Sequence, residues 1–163
     1  MGAADQRHFD ALRTAHFPPE RNLLSAHITL FHQLPRSSLD ELAQLVRAIV
    51  ADTPPPDAML REVYSLGRGV AFRVESAGLL AVRARIADRF AGLLTAQDRG
   101  TPRLHITVQN KVEPAHAQAL LSELAESFRP RPLRIVGLAA HHYRGGPWEL
   151  AFERKFRGAR TGY

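Results

Sequence analysis

The chain of 163 residues contains no cysteine. Disulfides, thiolate zinc sites and a cysteine nucleophile are therefore excluded, and the absence suits the cytoplasm. Lysine is nearly missing as well, Lys111 and Lys155 being the only two, and aromatic residues make up just 7%, with Trp148 the one tryptophan. No apolar run approaches the roughly 20 residues that span a bilayer, and the N-terminus lacks the charged-then-apolar layout of a signal peptide. No membrane partner is expected.

The composition that remains is that of an ordinary globular chain, 45% hydrophobic and 23% charged, sized for one domain or two small lobes sharing a core. The balance is basic, 22 Lys plus Arg against 16 Asp plus Glu. Arginine supplies nearly all of it, and guanidinium groups pair well with phosphate oxygens. A nucleic-acid or nucleotide partner is favoured on that ground, although an arginine-rich composition alone would look the same.

Compared with itself, the chain repeats at an offset of 78 residues. His27-Ile28-Thr29 falls on His105-Ile106-Thr107, Leu42 on Leu120, Pro54 on Pro132, Leu60 on Leu138 and Gly67 on Gly145. The order of elements follows the same repeat. Residues 26–33 (AHITLFHQ) read as a strand, Ser38 with Glu41 as a capping box, and Leu42, Leu45, Val46 and Ile49 as one helix face that Thr53-Pro54-Pro55-Pro56 ends. Strands over 58–66 and 69–75 flank a Gly67-Arg68-Gly69 turn. The second half offers a strand over 103–112, a helix carrying Leu120, Leu121 and Leu124, and strands near 133–143 and 147–156. A helix over about 79–96 connects the halves, and another covers 5–15. The expected fold is α+β in a single bilobal domain over 1–163. One lobe contains 26–75 and the other 103–156. Two antiparallel sheets with outer helices surround a central cleft by pseudo-twofold symmetry.

On a strand, His27 and Thr29 share a face, as do His105 and Thr107, with the apolar residues between them turned to the lobe. Cleaving a phosphodiester needs a base for the attacking oxygen, an acid for the leaving one and donors for the non-bridging oxygens. Two histidines divide the proton transfers because imidazole titrates near neutrality, and two threonine hydroxyls hold the phosphate. The scheme requires neither metal nor cofactor. A single His-x-Thr is more often a plain surface or core element; the repeat at the fold's own offset is what makes the pair a candidate site.

With these motifs, in AHITLFHQLP, RLHITVQNKV and HHYRGGPWEL, the chain resembles the 2H phosphoesterase superfamily, in its 2′-5′ RNA ligase and 2′,3′-cyclic phosphodiesterase-like branch. The resemblance implies catalytic roles for His27 and His105 and phosphate binding by Thr29 and Thr107. It also implies action on RNA with a cyclic-phosphate end or a 2′-5′ linkage, or on a small cyclic nucleotide. Members of that family usually begin with a strand before the first helix, whereas here the helix-like segment follows Met1 almost at once.

Further candidates for the cleft wall are Phe31, Gln109, Lys111, Tyr143 and Trp148. Phe31 and Gln109 lie two residues beyond the threonines, and Lys111 would continue the second strand's cleft face, with an exposed sheet-edge lysine as the simpler reading. Trp148 is expected to pack within its lobe, with base stacking as the second reading. Arg68 and Arg144 are turn arginines that are either phosphate clamps or simply solvated. His141 and His142 are adjacent on a strand, face opposite ways and do not chelate a metal together. Besides hydrolysis, the pattern leaves open a non-catalytic RNA- or nucleotide-binding module and a metallo-hydrolase using several of the eight histidines. It does not set the oligomeric state.

Overall fold

The computed structural model describes residues 1–159. Helix α1, Ala3–His16, opens the chain and is tied to the far end of the sequence: Gly2 N–H donates to Arg134 O at 2.8 Å, and Arg131 pairs with Asp5 at 2.7 Å. Its buried Phe9 meets Phe72 edge-on at 5.1 Å. Helix α2, Leu39–Asp52, buries Val46, Ile49 and Val50. It begins without the expected capping box. A short 3-10 turn, Arg36–Ser38, runs straight into it, which leaves Ser38 at φ −93°, ψ 4° with no cap bond from its side chain. Capping needs the extended backbone that Ser38 does not have. Ser76 does have it (φ −159°, ψ 102°) and accepts from Leu79 N–H at the start of α3, Ala77–Arg89. That helix is shorter than expected, closing at Phe90 into a 3-10 turn, Ala91–Leu93. Helix α4 is Pro114–Ser127.

The strands are β1 Met59–Ser65, β2 Val70–Glu75, β3 His105–Gln109, β4 Arg131–Pro132, β5 Gly137–His142 and β6 Glu149–Lys155. They form a four-stranded antiparallel sheet ordered β3-β2-β1-β4 and a two-stranded sheet, β5-β6. The sheets do not follow the repeat boundaries. β3, from the second half, pairs with β2 of the first, so the second His-x-Thr sits in a sheet built mainly from residues 59–75. Pro132 lies on the edge strand, where a residue without an N–H is tolerated. One face of the larger sheet carries Phe72, with Phe9 on one side and Phe128 at 5.6 Å on the other. Ile106, Val108, Val70 and Leu60 complete that core.

Repeat symmetry is visible in the hairpins. Gly67 and Gly145, 78 residues apart, turn with φ of +82° and +83°, a left-handed backbone that only glycine adopts at little cost.

Residues 26–33 differ from expectation: they form no ladder. The chain bends at Ala26, Leu30 and His32, and side chains serve the backbone groups a partner strand would have met. Asp10 accepts from Ala26 N–H at 2.7 Å, and Gln6 donates to Ala26 O at 2.9 Å. Arg83 donates to Leu30 O at 3.0 Å, and Asp98 accepts from the N–H groups of His32 and Gln33. β-branched and aromatic residues suit a strand, yet a strand exists only with a partner.

β3 also stops earlier than expected. Lys111 has φ +62° and its N–H is taken by Asn110 Oδ1 at 2.8 Å, so it turns the chain and does not continue the strand's face.

Among the described residues no helix is long and apolar enough to cross a membrane.

Candidate functional site

The two motif histidines are held alike. His27 Nδ1 lies 2.7 Å from Ser25 O, and His105 Nδ1 lies 2.7 Å from Arg103 O. A carbonyl only accepts, so each Nδ1 carries a proton and each Nε2 is left to take up or give up another. His27 comes from the side-chain-anchored segment and His105 from β3.

The pairing of β3 sets what surrounds His105. Tyr64, Ala71 and Thr107 form one row across three strands, with Glu62, Arg73 and His105 two rows along, the next on the same face. Tyr64 meets the His105 ring edge-on with centroids 6.3 Å apart. Burial pushes the Tyr64 phenol above its ordinary pKa, against the pull of Arg103 and Arg73, so it remains a neutral hydroxyl.

His27 lies among other positive groups. It is an exposed residue, yet desolvation by the surrounding protein holds its pKa below the usual imidazole value. The hydrogen bond with Ser25 O opposes the shift, while the charges of Arg13, His141 and His105 deepen it. His105 and His141 are therefore both within electrostatic reach of His27. Burial also lowers the pKa of His141, partly offset by Glu153.

Three residues that carried no signal in the sequence hold this arrangement. Arg13 of α1 is 5% exposed, donates from Nη1 to Thr107 O at 2.8 Å and from Nε to Asn22 Oδ1 at 3.0 Å, and lies 4.3 Å over the Phe17 ring. Asp98 is 2% exposed and collects the N–H groups of His32 and Gln33, the His32 ring at 3.0 Å and the Thr95 hydroxyl. Arg83 links the carbonyls of Leu30 and Asp98. No local pattern marks them, because the partners by which they hold the motif segments (Thr107 for Arg13, His32 and Gln33 for Asp98, Leu30 for Arg83) are remote in sequence.

Thr29 and Thr107 are half-buried beside their histidines. Phe31 does not continue their face openly; after the bend at Leu30 it packs against the core under the Arg83 guanidinium, 4.7 Å from its ring. Gln109 is buried, its Oε1 without a hydrogen-bond partner among the described residues. Tyr143 and Trp148 stand exposed at 60% and 38%, ring against ring at 5.0 Å, so Trp148 is not packed within its lobe. The hairpin arginines are engaged, Arg68 with Glu113 at 3.3 Å and Arg144 with Glu149 at 3.0 Å. A depression of about 610 Å³ lies away from both histidines, between α2 and β6, lined by Arg47, Arg154, Lys155 and Arg157 among others. Among the described residues no three His, Asp or Glu side chains gather as a metal site would need.

Fold and site together define an α+β protein of two antiparallel sheets, internally repeated, with a His-x-Thr from each repeat. The chain belongs to the 2′-5′ RNA ligase superfamily, whose pattern matches residues 2–147. Membership supports phosphoesterase- or ligase-type chemistry. The architecture is similar to the crystal structure of TT0787 of Thermus thermophilus, with a TM-score of 0.62 over 98% of this chain and 96% of that one, at 15% identity. That likeness speaks for the fold. No curated protein sequence matches the chain.

Proposed function

We propose that the protein hydrolyses 2′,3′-cyclic phosphate ends of RNA or of nucleotides by paired-histidine acid/base catalysis, with 2′-5′ RNA ligation as the same ring opening by an RNA 5′-hydroxyl in place of water. The observation that carries this reading is the matched tethering of His27 and His105, which presents two Nε2 atoms prepared for proton transfer. His27, whose pKa is depressed, suits the base. It takes a proton from water as the water oxygen bonds to phosphorus. His105, protonated, gives its proton to the ribose oxygen as the P–O bond to that oxygen breaks. The hydroxyls of Thr29 and Thr107 donate to the non-bridging oxygens, where charge builds up. Tyr64, held neutral beside His105, is a further donor in this reading.

The test is incubation with a 2′,3′-cyclic nucleotide and with a cyclic-phosphate-ended RNA, in EDTA, with the position of the product phosphate assigned by NMR. Turnover that disappears in both His27→Ala and His105→Ala supports the reading. Tight binding without turnover, little affected by those changes, would replace it with a binding module.

A further inference from the structure

The β5-β6 hairpin presents two different faces. Leu138, Ala140 and Phe152 pack on the core, with Ala140 and Phe152 opposite one another. The other face carries His141 opposite Leu150, and strand alternation adds Tyr143 and Trp148 to it at the tip. His141 is one of three groups whose charge reaches His27, with Arg13 and His105. The face that ends in the two aromatic rings is thus the face that adjoins the first histidine.

This face is unusually open for its chemistry. Of the five large hydrophobic side chains that stand exposed among the described residues, Tyr143, Trp148 and Leu150 are three. The rings are 5.0 Å apart and inclined at 37°, so they support one another without either being covered.

We propose that Tyr143 and Trp148 form a stacking platform for a base flanking the reacting phosphate, so that the favoured substrate is a single-stranded RNA end and not a mononucleotide. This rests on the reading of the histidines given above. A net charge of +6 draws a polyanion toward the chain, and every nucleobase has a π-face that an aromatic ring can take. Size argues against a second copy of the chain as the occupant. An aromatic side chain buries about 150–250 Å² in all, and Tyr143, Trp148 and Leu150 are only 60%, 38% and 54% exposed, so they offer well under the roughly 800 Å² that each partner gives to a stable protein interface. They match one or two bases. Arg144 is paired with Glu149, so the hairpin contributes stacking more than charge.

Trp148 is the only tryptophan, so its intrinsic fluorescence reports on the platform directly. The experiment titrates short single-stranded RNA ending in a 2′-phosphate, and the matching mononucleotide, into the wild-type chain and into a His27→Ala/His105→Ala double variant. Saturable quenching by the RNA but not by the mononucleotide is expected in both. Anisotropy of labelled RNA should show binding weakened roughly 5- to 150-fold in Trp148→Ala, the range for losing one stacked base, with Trp148→Phe restoring most of it. In turnover assays Trp148→Ala should raise KM for cyclic-phosphate-ended RNA far more than for a cyclic mononucleotide. Absence of quenching, equal losses for RNA and mononucleotide, or a dimer in solution that Trp148→Ala dissolves would each overturn the proposal. Because the binding arms need no chemistry, they decide it even if no substrate turns over.

Discussion

His27 and His105 are fixed by the same bond to the same relative atom: each Nδ1 is 2.7 Å from the carbonyl oxygen two residues earlier. The match holds although His105 sits in a laddered strand and His27 does not, so it follows the local motif and not the sheet. If the two rings act as one acid/base unit, their losses will not add. Each single alanine variant should lower kcat by about 10²–10⁴-fold, the usual contribution of a proton-transfer group. The double variant should fall little further, and fully multiplicative losses in single-turnover assays would show that the two histidines serve separate steps.

The electrostatics of His27 lead to a pH dependence. Its pKa is held down first by desolvation and then by Arg13, His141 and His105, against the Ser25 hydrogen bond. A base works in its neutral form, which is populated above its pKa, so the acidic limb of the kcat/KM profile should fall below the ordinary imidazole value of about 6.5. His141→Gln removes one of the depressing charges. The limb, and the His27 titration followed by NMR, should both move to higher pH, and activity at mildly acid pH should drop. A limb that stays in place or moves down would disconnect His141 from the site.

Asp98 makes a prediction about stability. Burial raises its pKa, but hydrogen bonds from the N–H groups of His32 and Gln33 and from the His32 ring outweigh that, and the net shift is downward. A carboxyl whose folded pKa lies below its unfolded value, about 3.9, adds stability above that value and loses it as pH falls through the folded one. Asp98→Asn presents an amide N–H₂ to groups that themselves donate. Urea melts at neutral pH should show a loss of about 1–3 kcal/mol. The gap between variant and wild type should then narrow as pH falls below about 4, and a gap independent of pH would mean that the charge of Asp98 is not what anchors residues 26–33.

The paired motif was legible because it is local. His27 with Thr29 and His105 with Thr107 are strings that an offset comparison finds, and Gly67 and Gly145 mark matching turns by residue type alone. What joined the halves was not local. Nothing in the string 103–112 says that β3 pairs with β2, because strand order depends on contacts across the whole chain. Residues 26–33 carry strand composition without a strand partner, so their pattern promised a ladder the fold does not make. Arg13 and Asp98 escaped for a related reason. An arginine on a helix and an aspartate in a loop look solvated until the chain closes over them, and their partners lie 94 and 66 residues away.

Arg13 is where these threads meet, since it binds the backbone of the second motif and charges the surroundings of the first. Its guanidinium donates to Thr107 O and Asn22 Oδ1 while lying over Phe17. Burial pulls its own pKa down and Asp10 pushes it back. Arg13→Met fills the space but leaves both acceptors unmet and removes the charge near His27. The Thr107 bond alone is a charge-assisted one worth about 1.5–3 kcal/mol, so thermal and urea stability should fall by at least that range. The His27 titration should move up in the same variant. Arg13→Lys separates the two effects: an ammonium keeps the charge but lacks the planar fork that reaches two acceptors and stacks on a ring. It should keep the His27 pKa low while recovering only part of the lost stability, and full recovery by lysine would show that charge, not the fork, is what Arg13 supplies.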